Sequence, residues 1–258
     1  MSRKTSKNNA TAEKQQFTVV IPAAGVGSRM QADRPKQYLI LGESTVLEQT
    51  INRLIGHPQI SRIVLAVNPE DEYLSESTLA EKDWLTITHG GTERSDSVLN
   101  GIRQVEEDWV LVHDAARPCV RHNDIRRLLQ LAEEKEGSGG ILARKATDTI
   151  KQAKGTLQTR EISNDSEAEI QKSVPRHLIW HALTPQFFPT RQLAEALTWC
   201  AENSQPITDE ASAIELTGGK AHLIPGSADN IKITHPGDLA LAEFFLAQQA
   251  LEISSPAK

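Results

Sequence analysis

The chain has few cysteines and no surplus of positive charge. Two cysteines, Cys119 and Cys200, stand among 258 residues. Their number and spacing fit neither a disulfide framework nor a cysteine metal site. We therefore expect a reducing compartment and a cytoplasmic protein. The formal net charge of −6 argues against a nucleic-acid binder, which usually carries a basic surplus, although a local basic cluster can still bind a nucleotide.

Long hydrophobic runs are also missing from the sequence. No apolar run approaches the ~18 residues that a membrane-spanning helix needs, so we expect no membrane partner. Residues 1–16 are rich in Lys, Ser, Asn and Gln and contain no apolar segment of the secretory-signal type. They predict a disordered tail. Arg3, Lys4 and Lys7, with few acidic residues nearby, leave a transit peptide as an open alternative.

Short apolar runs alternate with amphipathic segments from Phe17 onward. The patterns predict strands at 17–21, 60–67, 85–88, 109–113, 141–143 and 222–225. They predict helices at 45–55, 93–105, 190–203, 208–216 and 236–247, and a further helix from Asn123, as its cap, to about Lys135. This alternation predicts an α/β fold with a mostly parallel sheet covered on both faces.

The alternation breaks between Lys145 and Leu178. This stretch is polar, and residues 147–151 alternate in polarity as a strand does. It predicts a protruding hairpin or arm, although an ordinary long surface loop stays open. An arm with so few apolar residues cannot form its own core. We therefore expect a partner chain to pack against it, which indicates a homodimer.

The segment between Pro22 and Lys36 has the composition of a phosphate-binding loop. It follows a predicted strand, and ligands of parallel sheets bind beyond the carboxyl ends of strands. Gly25 and Gly27 allow the backbone to approach a ligand closely, and exposed amides in such a loop suit a polyphosphate. Arg29 adds a bidentate phosphate donor and Lys36 adds a point charge.

Two familiar nucleotide motifs are missing from this loop. Met30 stands where the G-x-G-x-x-G motif has its third glycine, which weakens a dinucleotide-binding interpretation. The sequence has no Walker A motif either. The two glycines alone fit a structural turn, but Arg29 and Lys36 beside them favour phosphate. The loop by itself thus predicts binding of a phosphate group, in the first place that of an NTP.

Acidic residues provide candidate metal ligands. Asp114 ends a predicted buried strand, where a carboxylate can hold Mg²⁺, and Asp229 stands just before Lys232. A helix cap or a loop hydrogen bond explains a single strand-end aspartate as well. His113 has no other histidine at ligand spacing, so we expect it to have a structural role.

Five separated motifs make the chain resemble a known family. The segments P-A-A-G-x-G-x-R-M and P-K-Q, in residues 22–37, are similar to the nucleotidyltransferases that activate sugars with NTPs. The segments HDAARP (113–118), WHALTPQ (180–186), TDEAS (208–212) and DNIK (229–232) resemble, more narrowly, the 2-C-methyl-D-erythritol 4-phosphate cytidylyltransferase family. The resemblance covers about residues 17–246.

The resemblance implies a fold and a reaction. The fold is a three-layer, Rossmann-like nucleotidyltransferase domain at 17–258 with a dimerisation arm at about 145–178. The reaction transfers a cytidylyl group from CTP to methylerythritol phosphate, with Mg²⁺ as the divalent metal, in the non-mevalonate pathway to isoprenoids. Two alternatives stay open: a cytidylyltransferase for another alditol phosphate such as ribitol 5-phosphate, and a nucleotide-binding regulatory protein without activity.

The resemblance also implies roles for individual residues. Catalysis is assigned to Arg29, Lys36, Arg176 and Lys232. Nucleotide binding is assigned to Pro22, Ala23, Ala24, Gly25, Gly27, Gly91 and Ser97. Substrate binding is assigned to Ala115, Arg117, Thr149, Thr184 and Thr208, with Thr149 and Arg176 donated by the arm of the partner. Metal binding is assigned to Asp114 and Asp229.

Overall fold

Strands and helices alternate along the chain, as predicted. The computed structural model describes residues 15–25, 34–79, 81–133, 137–154 and 167–254. The strands are β1 (Phe17–Pro22), β2 (Ile40–Leu41), β3 (Ser44–Thr45), β4 (Ile60–Val67), β5 (Leu85–His89), β6 (Trp109–Val112), β7 (Gly139–Lys145), β8 (Ile150–Ala153), β9 (Ile170–Val174), β10 (Trp180–Pro189) and β11 (Ala221–Pro225). The α-helices are α1 (Val46–Ile55), α2 (Arg94–Ile102), α3 (His122–Leu129), α4 (Thr190–Glu202), α5 (Glu210–Leu216) and α6 (Gly237–Ser254). Within the described ranges, no helix combines the length and the apolar character that crossing a membrane requires.

Seven strands form the central sheet in the order β11-β7-β10-β6-β1-β4-β5. Neighbouring strands pair in parallel, except that β10 runs antiparallel to both β6 and β7. The predicted mostly parallel sheet is confirmed. Because β10 runs in the opposite direction, its first residues lie at the same edge as the carboxyl ends of the other six strands.

The central strand β10 was not among the predicted strands. It contains Pro185 and Pro189, and proline is unusual in a central strand because it cannot donate a ladder hydrogen bond. The register of β10 against β7 shifts between Ala182 and Gln186. This irregularity accommodates Pro185, as β-bulges do elsewhere. Residues 183–188 are buried, as the middle of a covered sheet requires.

Helices cover both faces of the sheet and produce three layers. Side chains of β1 alternate between the faces: Phe17, Val19 and Ile21 pack with α1 and α3, whereas Val20 packs with α2, α4 and α5. A smaller cluster holds Ala242 of α6 against the loop after β6. The alternation along β1 follows from the two-residue period of a strand.

The predicted cap of α3 is wrong. The helix begins at His122, and Arg121 occupies the cap position without a side-chain capping hydrogen bond. Asn123 lies inside the helix instead. The Arg121 side chain is fixed elsewhere, by hydrogen bonds to Asp229 and Glu252, while its own backbone is extended. The α-helix ends at residue 129 and continues as a 3-10 turn to residue 133.

The predicted arm is present as a hairpin. Strands β8 and β9 pair antiparallel in a two-stranded sheet of their own, separate from the central sheet. Lys154 and Glu169 form an ion pair across the hairpin, and most of its side chains are exposed. Residues 155–166, within the arm, lie outside the described residues. The predicted tail at 1–16 also lies outside them, except for its last two residues.

Candidate active site

Five segments meet at the edge of the sheet where the parallel strands end. They are the loops after β1, β5, β6 and β11, together with the start of β10. A cleft of about 240 Å³ opens between four of these loops. The predicted site residues that line it are Pro22, Ala23, Ala24, Gly25, Lys36, Gly91, Ser97, Asp114, Ala115 and Lys232. The cleft thus lies where the general rule for such sheets puts a ligand.

Small residues form one wall of the cleft. A Cβ atom on Gly90 would lie 2.3 Å from the Cβ of Ala24, and one on Gly91 would lie 2.2 Å from the Cβ of Asp96. The loop after β5 therefore packs directly on the loop after β1. The hydroxyl of Ser97 accepts the N–H of Gly91 at 3.0 Å and fixes this turn. The wall is therefore built from backbone and small side chains, which lets a ligand approach closely.

The loop after β1 is held at both of its described ends. The buried amide of Gln37 donates to the carbonyls of Ala23 and Gly25, at 2.9 and 3.1 Å. The Nζ atom of Lys36 donates to the carbonyl of Ile233 at 2.9 Å. Gln37 was not predicted as a site residue, although the P-K-Q motif contains it. Its role is to join the two described ends of the loop.

Asp114 lies between three cationic side chains. Its Oδ1 atom accepts Nη2 of Arg94 at 3.1 Å, and its Oδ2 atom lies 3.3 Å from Nε of Arg117 and 3.0 Å from Nζ of Lys232. Burial opposes ionisation of this carboxyl, but Arg94, Lys232 and Arg117 outweigh it and hold the pKa of Asp114 far below its ordinary value. The carboxylate is therefore ionised at physiological pH.

Arg94 connects Asp114 with a second buried carboxylate, that of Glu210. Its Nη1 and Nη2 atoms donate to the two oxygens of Glu210 at 2.6 and 3.3 Å. Burial raises the pKa of Glu210, and the charge of Arg94 offsets part of that increase. Neither residue was predicted as functional. Arg94 lies in residues 90–97 (GGTERSDS) and Glu210 in the TDEAS segment, but nothing in the sequence pairs them.

His113 links the loop after β6 to β10. Its Nε2 atom lies 3.0 Å from the carbonyl of Arg117, which can only accept, so Nε2 carries the proton. Its Nδ1 atom then accepts the hydroxyl of Thr184, and that hydroxyl accepts the N–H of Asp114. Burial lowers the pKa of His113 to about 4, so the ring is neutral at physiological pH. These contacts agree with the structural role predicted for His113.

A second cavity of about 210 Å³ adjoins the cleft. Arg117, Thr184 and Thr208, which were predicted to bind the substrate, line it together. Arg117 is largely buried and also donates to the carbonyl of Asn230 at 2.9 Å. The hydroxyl of Thr184 already has two internal partners, so this residue shapes the cavity as well as lining it.

Two predicted site residues in the described part of the arm line neither cavity in the single chain. Thr149 and Arg176 are exposed in the arm, where Arg176 donates to the carbonyl of Thr147. Gly27 and Arg29 lie outside the described residues. The predicted roles of Thr149 and Arg176 depend on a partner chain.

Asp229 does not join Asp114. It lines neither cavity in the described part of the chain, and its Oδ2 atom accepts Arg121 at 2.7 Å and Gln249 at 2.9 Å. No group of three or more His, Cys, Asp or Glu side chains able to hold a metal occurs among the described residues. A single carboxylate still fits Mg²⁺, because this ion is often held by one or two carboxylates with substrate phosphates. Of the two predicted metal ligands, Asp114 is the one that lines the cleft and the adjoining cavity.

Comparison with known proteins agrees with this geometry. A family model described as 2-C-methyl-D-erythritol 4-phosphate cytidylyltransferase matches residues 17–248. A protein of that name from Tolumonas auensis is 51% identical over 238 residues, which are 92% of this chain and 100% of the relative. One from Haemophilus influenzae is 49% identical over 234 residues, which are 90% of this chain and 97% of the relative.

Solved structures agree as well. The crystal structure of the Francisella tularensis enzyme with the same name has a TM-score of 0.73 and 34% identity, covering 90% of this chain and all of that one. The Thermus thermophilus structure of that name has a TM-score of 0.72 and 29% identity, covering 91% of this chain and all of that one. The structural similarity therefore extends over about nine tenths of the chain.

Proposed function

Because the chain belongs to the 2-C-methyl-D-erythritol 4-phosphate cytidylyltransferase family, we propose that it transfers the cytidylyl group of CTP to methylerythritol phosphate. A phosphate oxygen of the acceptor forms a bond to the α-phosphorus of CTP. The bond from that phosphorus to the bridging oxygen breaks, and its electron pair leaves with pyrophosphate. The other product is 4-diphosphocytidyl-2-C-methyl-D-erythritol, an intermediate of the non-mevalonate isoprenoid pathway.

The observation that carries this proposal is the pair of adjoining cavities. One has a wall of small residues and backbone, which suits the base and ribose of a nucleotide. The other contains Arg117, Thr184 and Thr208, which suit a phosphorylated polyol. A transfer between two phosphate groups requires that both substrates lie side by side, and positioning of this kind supplies much of the catalysis.

Two lysines provide positive charge in the cleft, and one of them, Lys232, also lines the adjoining cavity. Lys36 donates to the carbonyl of Ile233, and Lys232 is the residue just before it. The two ammonium groups are therefore positioned by the same segment of chain. Negative charge grows on the phosphate oxygens during transfer, and fixed cations stabilise it. We assign Lys36, Lys232 and Arg29 to this task.

We assign the divalent metal to Asp114. Asp114 would hold Mg²⁺, and the ion would supply positive charge that offsets part of the negative charge of the CTP phosphates. The Asp114 carboxylate is ionised, and its partners Arg94 and Lys232 are themselves suited to phosphate, so they can exchange a carboxylate for a substrate oxygen. Asp229 acts instead as an anchor for the segment that carries Lys232.

We further propose a cytoplasmic homodimer. The arm exposes Ile170 and Leu178, which are 57% and 75% accessible in the single chain, and a partner chain would cover such side chains. The arm of the partner would then supply Thr149 and Arg176 to the substrate cavity. Cys119 and Cys200 are unpaired thiols, as is usual for proteins of a reducing compartment.

The reaction can be followed directly by ³¹P NMR. The protein is incubated with CTP, methylerythritol phosphate and Mg²⁺, and we expect the signals of a new diphosphate diester and of pyrophosphate to appear in equal amounts. The Lys36→Ala variant serves as the control for contaminating activity. Pyrophosphate without the diester, or neither product with a working reference enzyme alongside, would contradict the proposal.

A further inference from the structure

Three described side chains line both the cleft and the adjoining cavity: Arg94, Asp114 and Lys232. In the proposed reaction the acceptor phosphate must touch the α-phosphate of CTP, and this contact has to occur where the two cavities join. Asp114 and Lys232 already have proposed roles at this junction. Arg94 has so far been described only as a partner of Asp114 that can exchange this carboxylate for a substrate oxygen.

The guanidinium of Arg94, whose N–H donors form a planar fork, is held in a fixed position. It is the first residue of α2, and its guanidinium donates to Asp114 through Nε and Nη2 and to Glu210 through Nη1 and Nη2. The side chain of Arg94 is 31% accessible. The two carboxylates thus use four of its five N–H groups, and the bonds to Asp114 must open before Nε and Nη2 can bind a phosphate.

Glu210 stands behind this fork. It lines neither of the two cavities in the described part of the chain, and its side chain is only 1% accessible. The start of α5 that carries it is fixed to β10: the amide of Gln186 donates to Asp209 at 2.8 Å and accepts the N–H of Ala211 at 2.9 Å. The carboxylate of Glu210 is therefore a rigid support for Arg94.

An arginine at this junction reduces the electrostatic repulsion between Asp114 and an incoming phosphate. The Asp114 carboxylate repels an incoming phosphate dianion, and an adjacent guanidinium offsets that repulsion. A long, flexible side chain helps only if it is already in position, because ordering it upon binding has an entropic cost. Two hydrogen bonds to Glu210 keep the fork in place before substrates arrive.

We propose that Arg94 orients the reacting phosphates at the junction of the two cavities, and that Glu210 is a positioning residue that acts through Arg94. The inference rests on the proposed cytidylyl transfer. The carboxylate of Glu210 does not touch the substrates. Its contribution is to keep the guanidinium aimed at the point where the acceptor phosphate meets CTP.

The test compares Glu210→Gln, Arg94→Lys and Arg94→Gln in steady-state kinetics, with CTP binding measured by calorimetry. Glutamine keeps the shape of Glu210 but removes the charge. We expect Glu210→Gln to lower kcat/KM for the acceptor roughly 10- to 100-fold, with the Kd for CTP changed less than about threefold. Arg94→Lys keeps the charge without the fork and should recover part of the loss of Arg94→Gln.

A double variant separates positioning from general support of the fold. If Glu210 acts through Arg94, adding Glu210→Gln to Arg94→Gln should lower kcat/KM no further. Glu195→Gln is the matched control, because it breaks an exposed Arg–Glu pair on α4 and should leave kcat/KM unchanged. Thermal unfolding identifies any variant that fails to fold, and Arg94→Lys then carries the comparison alone.

The outcomes are distinguishable. Wild-type turnover with unchanged kinetics in Glu210→Gln and Arg94→Lys would overturn the inference and leave the proposed function intact. An equal further loss from Glu210→Gln in the Arg94→Gln background would overturn the claim that Glu210 acts through Arg94. A wild-type protein without turnover would overturn the proposed function, and the inference with it.

Discussion

The Nζ atom of Lys232 lies 3.0 Å from the Oδ2 atom of Asp114. This ion pair connects the loop after β11 with the loop after β6 at the edge of the sheet. Lys36 reaches the same place from the loop after β1, through its hydrogen bond to the carbonyl of Ile233. The charges proposed to act on CTP and its acceptor are therefore assembled from three distant segments of the sequence.

Replacing Lys36 by alanine should reduce turnover without unfolding the protein. Its ammonium group lines the cleft, and loss of one fixed donor to a charged transition state typically lowers kcat roughly 10²- to 10³-fold. Lys220→Ala, which removes an exposed lysine before β11, is the control. Turnover near the wild-type level in Lys36→Ala would remove its catalytic role.

Asp114 and Asp229 offer a matched pair of Asp→Asn variants. We expect Asp114→Asn to lose most activity and to raise the Mg²⁺ concentration required. Asp229→Asn should keep the wild-type Mg²⁺ requirement but lower the free energy of unfolding by an amount on the order of 2 kcal/mol. The reason is that it removes the buried negative charge that accepts a hydrogen bond from Arg121. Denaturant unfolding and an Mg²⁺ titration of activity measure both effects.

Removal of divalent metal, together with the same two variants, tests the metal assignment. EDTA should abolish wild-type activity, and excess Mg²⁺ should restore it. Full activity in EDTA would refute the metal assignment. An equal increase of the Mg²⁺ requirement in both variants would show that Asp229 also reaches the metal, against the anchoring role that its contacts indicate.

His113 should make stability depend on pH. Its pKa in the folded protein is about 4, below the ordinary value near 6.5 of an unfolded chain. Between these values the unfolded state binds a proton that the folded state does not, so stability falls as pH falls from about 6.5 to about 4. The loss is on the order of 3 kcal/mol.

Urea unfolding of the metal-free protein at several pH values measures this dependence. The His113→Gln variant keeps a donor and an acceptor but has no ionisable ring, so the corresponding part of the slope should disappear. If the wild type and this variant lose stability equally between pH 6.5 and 4, the buried neutral ring is not its cause.

The arm should control both assembly and activity. Ile170→Asp places a charge on an exposed apolar position of β9, and we expect it to shift the protein from dimer to monomer in sedimentation and to lower activity in parallel. Leu251→Asp on α6, 61% accessible in the single chain, is the control. A wild-type monomer with full activity would exclude a role of the partner in the site.

Much of the fold follows from local patterns in the sequence. Buried runs such as 60–67 and amphipathic segments such as 190–203 predict their elements within a few residues, because a covered parallel sheet requires them. Strand β10 was not predicted because Pro185 and Pro189 are atypical of a central strand. Its place depends on a local irregularity and on pairing with β6 and β7, which are long-range features.

The candidate site, like the fold, contains residues that the sequence predicts and residues that only the folded chain reveals. Loop residues such as Lys36 and Asp114 could be predicted because each follows a strand and carries chemistry of an evident kind. Arg94 and Glu210 could not, because they are 116 positions apart in the sequence and only the folded chain joins their charges. Asp229 has the residue type of a metal ligand, but only the folded chain shows that Arg121 and Gln249 hold its carboxylate.

The central claim concerns the choice of acceptor, and competition between acceptors tests it most directly. CTP is supplied with equal concentrations of methylerythritol phosphate and ribitol 5-phosphate, and the two cytidylyl products are quantified by mass spectrometry. Both acceptors carry the phosphate that the shared junction recognises, so only the polyol contacts distinguish them. We expect the methylerythritol product in large excess; equal amounts, or an excess of the ribitol product, would contradict the account.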